Sequence, residues 1–258
     1  MAVLELLTYQ VTQMTIESTK DKLPNTPAIT YSDCYVQPFF TFYNADNMEI
    51  MKHYPDKYFD LAIVDPPYGI DNNKSLSLRG YTGKGCPMNE RMRKSSSEWD
   101  IRPTKEYFDQ LFRISKNVII WGGNYFTDMI PPSREWVVWN KDKYSFKHSD
   151  FEMAYTSYNG VCKIVKIQHH GFLLKDKDII HPTQKPVVLY EYLIDTYCIN
   201  GNKIIDTHLG SGSIAIAIDK ANVLDKKNLT FVGIELDPDY YRGAVERFKN
   251  HKRQCVLF

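Results

Sequence analysis

Four apolar runs in this chain each stop at a carboxylate. FFTFY leads through Asn44 and Ala45 to Asp46, FDLAIV ends at Asp65, KIID closes on Asp206, and FVGIE closes on Glu235. Short continuous apolar runs suit strands buried on both faces, as in parallel sheets. Helix-like stretches separate them, and strands alternating with helices imply a mostly parallel, doubly wound sheet. Ligands in such sheets lie just beyond the strand C-termini. If the four runs are parallel neighbours, their carboxylates gather along one edge. Any single one of them is equally suited to cap a helix; the four together argue for a binding edge.

The remaining elements fall between these runs. Residues 1–35 show weak periodicity and read as an irregular N-terminal arm, with one domain over 36–258. A short helix is expected from Met48 to His53. TKEYFDQLFRIS is helix-like, NVIIW is a strand, and EWVVW, FEMAYTS and KIVKI read as three more. VVLYEYLIDTY is an amphipathic helix after Pro186, SIAIAIDKA a second, and PDYYRGAVERFKNH a third with proline in its first turn. Residues 71–103 form a long polar stretch with Gly and Ser, the kind of loop that is usually functional. Residues 158–180 resist assignment apart from KIVKI.

Composition excludes several classes. At 258 residues, with 43% apolar and 24% charged residues, the chain suits one soluble α/β domain. A net charge of +1 does not by itself announce nucleic acid, so a local basic surface must carry that argument. Cys34, Cys86, Cys162, Cys198 and Cys255 are scattered and form no C-x-x-C pair, which fits a reducing cytoplasm better than a disulfide framework or zinc site. His169-His170 lacks further ligands at suitable spacing, so no metal is expected. No signal peptide, and no apolar run near the ~20 residues needed to span a bilayer, is apparent, and no membrane partner is expected.

The block KIIDTHLGSGSIAIAIDKA contains a glycine turn. Gly210 and Gly212 lie between the strand ending at Asp206 and a helix beginning at Ser213. Glycines there let backbone approach a ligand closely and aim helix N–H groups at it. Glu235, closing the next strand, can accept hydrogen bonds from ribose hydroxyls. These residues favour a nucleoside-containing cofactor, and they leave NAD and S-adenosylmethionine both open.

Asp65-Pro66-Pro67-Tyr68 narrows the choice. An exocyclic base amine is a poor nucleophile because its lone pair is delocalised into the ring. A carboxylate accepting one N–H, with a carbonyl accepting the other, favours a tetrahedral nitrogen with a localised lone pair. Asp65 and the Pro66 carbonyl can do this, and the prolines stiffen the turn. Tyr68 can stack on a base turned out of a duplex. The plain alternative is a Pro-Pro turn with a partly buried tyrosine.

On these residues the chain resembles the β-class of amino-DNA methyltransferases, in which the catalytic motif precedes the cofactor motif. The D-P-P-Y motif is Asp65 to Tyr68; H-P-T-Q-K-P is His181 to Pro186, letter for letter; D-x-F-x-G-x-G is Asp206 to Gly212; the acidic ribose position is Glu235. Asn44-Ala45-Asp46 matches a short N-A/G-D element, and Trp121 to Tyr125 a strand-end motif. Together these span roughly residues 40–245. One position departs: His208 stands where the family has phenylalanine, and it is given no catalytic role.

The resemblance implies a circularly permuted Rossmann-like methyltransferase fold: a mixed, mostly parallel sheet with helices on both faces. It implies S-adenosylmethionine held by Asp46, Asp65, Thr183, Gln184, Lys185, Asp206, His208, Gly210, Gly212, Ser213 and Glu235. Catalysis would rest on Asp65, Pro66, Pro67 and Tyr68, with direct transfer to a flipped base. The substrate would be double-stranded DNA and the methylated atom N6 of adenine, since N4-cytosine enzymes more often carry Ser at the Asp65 position. A paired restriction enzyme and a homodimer are family habits. Cys86-Pro87 has the wrong order for the nucleophile of C5-cytosine enzymes. A nucleotide-dependent oxidoreductase would explain the glycines but not Asp65 to Tyr68 or His181 to Pro186; a silent DNA-binding subunit would not need an intact Asp65.

Basic residues are expected to meet DNA phosphates. In the 71–103 loop these are Lys74, Arg79, Lys84, Arg91, Arg93 and Lys94, and a second cluster is Lys141, Lys143 and Lys147. Lys163, Lys166, His169, His170, Lys175 and Lys177 form a third, within the segment expected to recognise the target, about 158–180.

Overall fold

In the computed structural model, which describes residues 34–70, 100–142, 149–168 and 184–255, the strand leading to Asp65 lies at the centre of a single sheet. The strands are β1 (Cys34–Gln37), β2 (Phe40–Asn44), β3 (Phe59–Val64), β4 (Ser115–Trp121), β5 (Trp136–Asn140), β6 (Phe151–Thr156), β7 (Lys163–Lys166), β8 (Lys203–Asp206) and β9 (Thr230–Glu235). The helices are α1 (Asn47–Lys52), α2 (Lys105–Ile114), α3 (Val187–Tyr197), α4 (Ser213–Leu224) and α5 (Pro238–Cys255). The sheet order is β1-β2-β9-β8-β3-β4-β6-β5-β7.

From β2 to β4 through β9, β8 and β3, every pairing is parallel. Antiparallel pairings join β1 to β2 and place β6 between β4 and β5. The sheet is therefore mixed and mostly parallel. Chain progression runs outward from β3 to β4 in one direction and from β8 to β9 in the other. The β3–β8 boundary is thus the topological switch point, where a crevice opens at the strand ends.

Side-chain alternation divides the core. Leu61 and Ile63 of β3, and Ile119 and Trp121 of β4, pack with α3, α4 and α5 on one face. Ala62 and Val64, and Val118 and Ile120, pack with α1 and α2 on the other. In α2, Tyr107, Phe108, Leu111 and Ile114 are buried, a helical stripe with polar residues opposite. Phe248 of α5 is fully buried against Phe40 and Phe42, with ring centroids 4.8 and 5.3 Å away.

One boundary differs from the sequence reading. β1 begins at Cys34, inside the segment read as an irregular arm that ends at 35. Its four residues, CYVQ, are mostly exposed because it is an edge strand, and they are too few to give the apolar signature of the inner strands. Residues 1–33 lie outside the described residues. Among the described residues no helix is long and apolar enough to cross a membrane.

Candidate active site

β2, β9, β8 and β3 are consecutive neighbours, so Asp46, Glu235, Asp206 and Asp65 do line one edge. Asp206 and Asp65 close adjacent strands at the switch point. Asp206 is almost fully buried and accepts the His208 N–H at 2.9 Å. Burial pushes its carboxyl up to about 8, against the His208 hydrogen bond, and the nearby Asp65 and Glu235 charges add to the rise.

Glu235 is stapled to the glycine turn. Its Oε2 accepts from Gly210 N at 2.8 Å and its Oε1 from Asp237 N at 3.0 Å; burial nonetheless raises its carboxyl above the ordinary range. Gly210 and Gly212 adopt φ of +52° and +71°, values that disfavour any side chain. A Cβ on Gly210 would meet only the His208 carbonyl, at 3.8 Å, so the space above the turn is open. Gly212 instead faces α5, where a Cβ would touch Ala244. Ser213 is buried and turned the same way: its hydroxyl accepts from Arg247 Nη1 at 2.9 Å.

His208 is neutral. Burial pushes its imidazole down to about 3. Asn47 Nδ2 lies 3.3 Å from Nε2, so Nε2 accepts and Nδ1 carries the proton towards Thr207 Oγ1 at 3.1 Å. Its ring meets Tyr107 edge-on, which is the packing a phenylalanine would supply. Asp46 caps α1, accepting from Met48 N at 2.8 Å, and is exposed at the end of the carboxylate row.

The Asp65–Tyr68 turn is held from three sides. The Tyr68 hydroxyl donates to Asp65 Oδ1 at 2.8 Å, and Lys185 Nζ donates to Asp65 Oδ2. Tyr68 stacks on Tyr125, with centroids 4.9 Å apart and planes 19° from parallel. Gly122, with φ +65°, lies against the Tyr68 ring. Beyond the turn, Asp100 accepts from Gly69 N at 2.8 Å, and Arg102 donates to the Tyr125 carbonyl at 2.7 Å and pairs with Asp128. Residues 100–102 are thus tied to Gly69, just after the Asp65–Tyr68 turn, and to Tyr125 beside it.

Some sequence expectations land elsewhere. Lys185 was read as a cofactor contact; its side chain is 4% exposed and points at Asp65 and Glu152. Lys141 was read as a DNA contact; its ammonium turns inward to Glu152, 2.6 Å away, and over the Trp139 ring. Lys163, from the third basic cluster, sits at the opposite end of the sheet on the buried Glu135, which also accepts from Tyr197 and Gly160. Glu152 and Glu135 carried no local motif. The described part of His181 to Pro186 is Gln184 to Pro186; Thr183 lies outside the described residues. So do Lys74, Arg79, Lys84, Arg91, Arg93, Lys94, Lys143 and Lys147.

Comparison with known proteins agrees with this geometry. The chain is 24% identical over 243 residues to the type II methyltransferase M.HpaI of Haemophilus parainfluenzae, covering 78% of this chain and 71% of that protein. Its fold is similar to that of M1.HpyAVI in complex with SAM (TM-score 0.53, 17% identity, 81% of this chain and 99% of that one). It is also similar to that of the cytosine-N4-specific PvuII DNA methyltransferase (TM-score 0.54, 13% identity, 84% and 90%). The N6/N4 family model, described as DNA methylase, matches residues 90–246, well over half of the chain. That match takes in β8, the glycine turn and Glu235 and begins after Asp65 to Tyr68; because it covers more than half of the chain, the chain belongs to the N6/N4 DNA methylase family.

Proposed function

We propose that the protein transfers a methyl group from S-adenosylmethionine to N6 of adenine in double-stranded DNA, on a base flipped out of the duplex. The observation that carries this reading is the adjacency of Asp65 and Asp206 at the ends of β3 and β8. On this reading an amine-binding carboxylate lies beside an acidic, glycine-lined cofactor crevice.

The residues fit such a cofactor. Asp206, Glu235 and Asp65 line the crevice with carboxyl groups, and Asp206, whose proton burial holds up to about 8, can ionise against a ligand carrying a sulfonium and an ammonium. The open space over Gly210 admits a close ligand, and the Glu235 oxygens keep lone pairs for ribose hydroxyls. When bound, the cofactor supplies an electrophilic methyl carbon. Asp65 accepts one hydrogen of the target amine and the Pro66 carbonyl oxygen the other, turning the nitrogen lone pair towards that carbon. The nitrogen would gain the methyl group as the carbon–sulfur bond breaks, and the amine proton it loses would pass through Asp65 to water. No covalent enzyme intermediate is needed, and positioning supplies much of the acceleration. Tyr68 and Tyr125 form the aromatic wall beside Asp65 against which the base lies. The basic residues of the 71–103 loop, with Lys143 and Lys147, serve the DNA phosphates.

Digestion of DNA methylated by the purified protein, followed by mass analysis of its nucleosides, tests the base. N6-methyladenine is expected. N4-methylcytosine would keep the chemistry and overturn the base.

A further inference from the structure

Two lysines and two glutamate or aspartate carboxylates alternate in a line that enters the site from its β5–β6 side. Lys141 Nζ lies 2.6 Å from Glu152 Oε1, Glu152 Oε2 lies 3.5 Å from Lys185 Nζ, and Lys185 Nζ binds Asp65 Oδ2. The β5–β6 register creates the first contact, since Trp139 pairs with Glu152 and the chain passes directly on to Lys141. All four side chains are shielded from solvent, from 4% exposed at Lys185 to 26% at Glu152.

We propose that Lys185 is a positioning residue for Asp65, seated by Glu152 and Lys141, and that this line of charges fixes the orientation of the carboxylate that receives the target amine. The proposal rests on the methyl-transfer reading of the site, gives Lys185 a role other than cofactor contact, and adds Glu152 and Lys141 from outside the recognised motifs.

The donor geometry favours this over a cofactor contact. An ammonium has three N–H donors. Lys185 directs one at Asp65, forms an ion pair with Glu152 Oε2 at 3.5 Å without a hydrogen bond, and lies over the Trp121 ring, 5.4 Å from its centroid. With the side chain 4% exposed, these contacts enclose the ammonium. On the other side, Asp65 receives Lys185 on one oxygen and the Tyr68 hydroxyl on the other. Two fixed donors set the plane of the carboxylate. A carboxylate offers about four lone-pair positions, so acceptor capacity remains for an amine N–H.

Charge balance gives the same answer. Lys185 faces Asp65 after β3, Glu152 on β6 and Asp206 on β8; behind these stand Lys141 on Glu152, Tyr68 on Asp65, and Tyr190 on α3, which meets the Asp65, Asp206 and Glu152 charges. Burial alone would strip the Lys185 proton, but the Asp65 and Glu152 carboxylates hold its affinity above the ordinary lysine range. Burial alone would raise Glu152, but the Lys185 and Lys141 ammoniums hold it below the ordinary range. Without Lys185, Asp65 would face Asp206 and Glu152 with no compensating cation in contact.

The test is single-turnover methyl transfer by the full-length protein, set beside a direct binding measurement for S-adenosylmethionine. Lys185→Met should lower the transfer rate roughly 100-fold while the dissociation constant for S-adenosylmethionine changes by less than about threefold, and Lys185→Arg, which keeps a cation beside Asp65, should recover part of the loss. Glu152→Gln removes the seat of Lys185 and keeps the ammonium, so it should lower the rate by a smaller factor, again without weakening cofactor binding; it serves alone if Lys185→Met does not fold. A transfer rate unmoved in both folded variants would overturn the proposal, as would a Lys185→Met defect confined to cofactor binding. Absence of methyl transfer by the wild-type protein would sink the functional reading, whereas wild-type rates in both folded variants would sink this proposal alone.

Discussion

Gly122 and Tyr68 are in contact so close that a Cβ on Gly122 would stand 2.2 Å from Tyr68 Cε1. Gly122 ends β4, Tyr68 ends the turn after β3, and the strands are parallel neighbours, so the end of one strand forms the seat for the aromatic ring of the next.

Gly122→Ala should therefore damage the site without damaging the cofactor crevice. The φ of +65° costs a non-glycine residue about 1 kcal/mol or more, and the clash displaces the Tyr68 ring and its bond to Asp65. Steady-state kinetics should show kcat lowered roughly 100-fold, about 2.7 kcal/mol of transition-state stabilisation, with cofactor affinity within a few-fold of wild type. Unchanged kcat would show that Tyr68 can work from another position.

Asp206 gives stability an unusual pH dependence. Its folded carboxyl titrates at about 8, well above the ordinary aspartate value of about 3.9. Between these values the folded state holds a proton that the unfolded state does not, so stability falls as pH rises from about 4 through about 8. Asp206→Asn keeps the acceptor for the His208 N–H and removes the titration. Urea unfolding should show the variant gaining stability over wild type at pH 8.5 relative to pH 5, by on the order of a few kcal/mol. Equal pH slopes for the two proteins would contradict this.

The same carboxyl ties cofactor affinity to pH. A cationic ligand favours ionised Asp206, so S-adenosylmethionine should bind more tightly as pH rises towards about 8 and should release a proton on binding below that. Calorimetry at pH 7 in buffers of different ionisation enthalpy should report that release. A binding enthalpy independent of buffer would argue that Asp206 keeps its proton.

Phe248 anchors α5 on the sheet. Its ring is fully buried and meets both Phe40 and Phe42 of β2. Phe248→Ala should destabilise the fold by about 3–5 kcal/mol, measured by denaturant unfolding. A loss below about 1 kcal/mol would mean that this side of the sheet repacks.

Much of this was legible in the sequence because of how the inner strands are covered. β3, β8 and β9 are buried on both faces and so read as unbroken apolar runs, and each leads directly to its carboxylate. The glycines at 210 and 212 were readable because only a turn of that shape requires them. β1 was not, because an edge strand has little to bury. The side-chain partners of Lys141 and Lys185 were not legible for a different reason. A lysine looks like a surface or ligand-binding residue until its partner is known, and Glu152 becomes that partner only through the β5–β6 register. Long-range pairings of this kind leave no local pattern.

Methyl transfer in a single turnover by Asp65→Ala tests the central claim most directly. Labelled S-adenosylmethionine would be pre-bound to excess enzyme, mixed with unmethylated double-stranded DNA, and the methylated nucleosides counted. Asp65 is expected to bind the amine while the cofactor is held chiefly at Gly210 and Glu235. The variant should therefore retain cofactor binding and lose methyl transfer by roughly 100-fold or more. Transfer at the wild-type rate would contradict the account, because the amine would then be activated by some group other than Asp65.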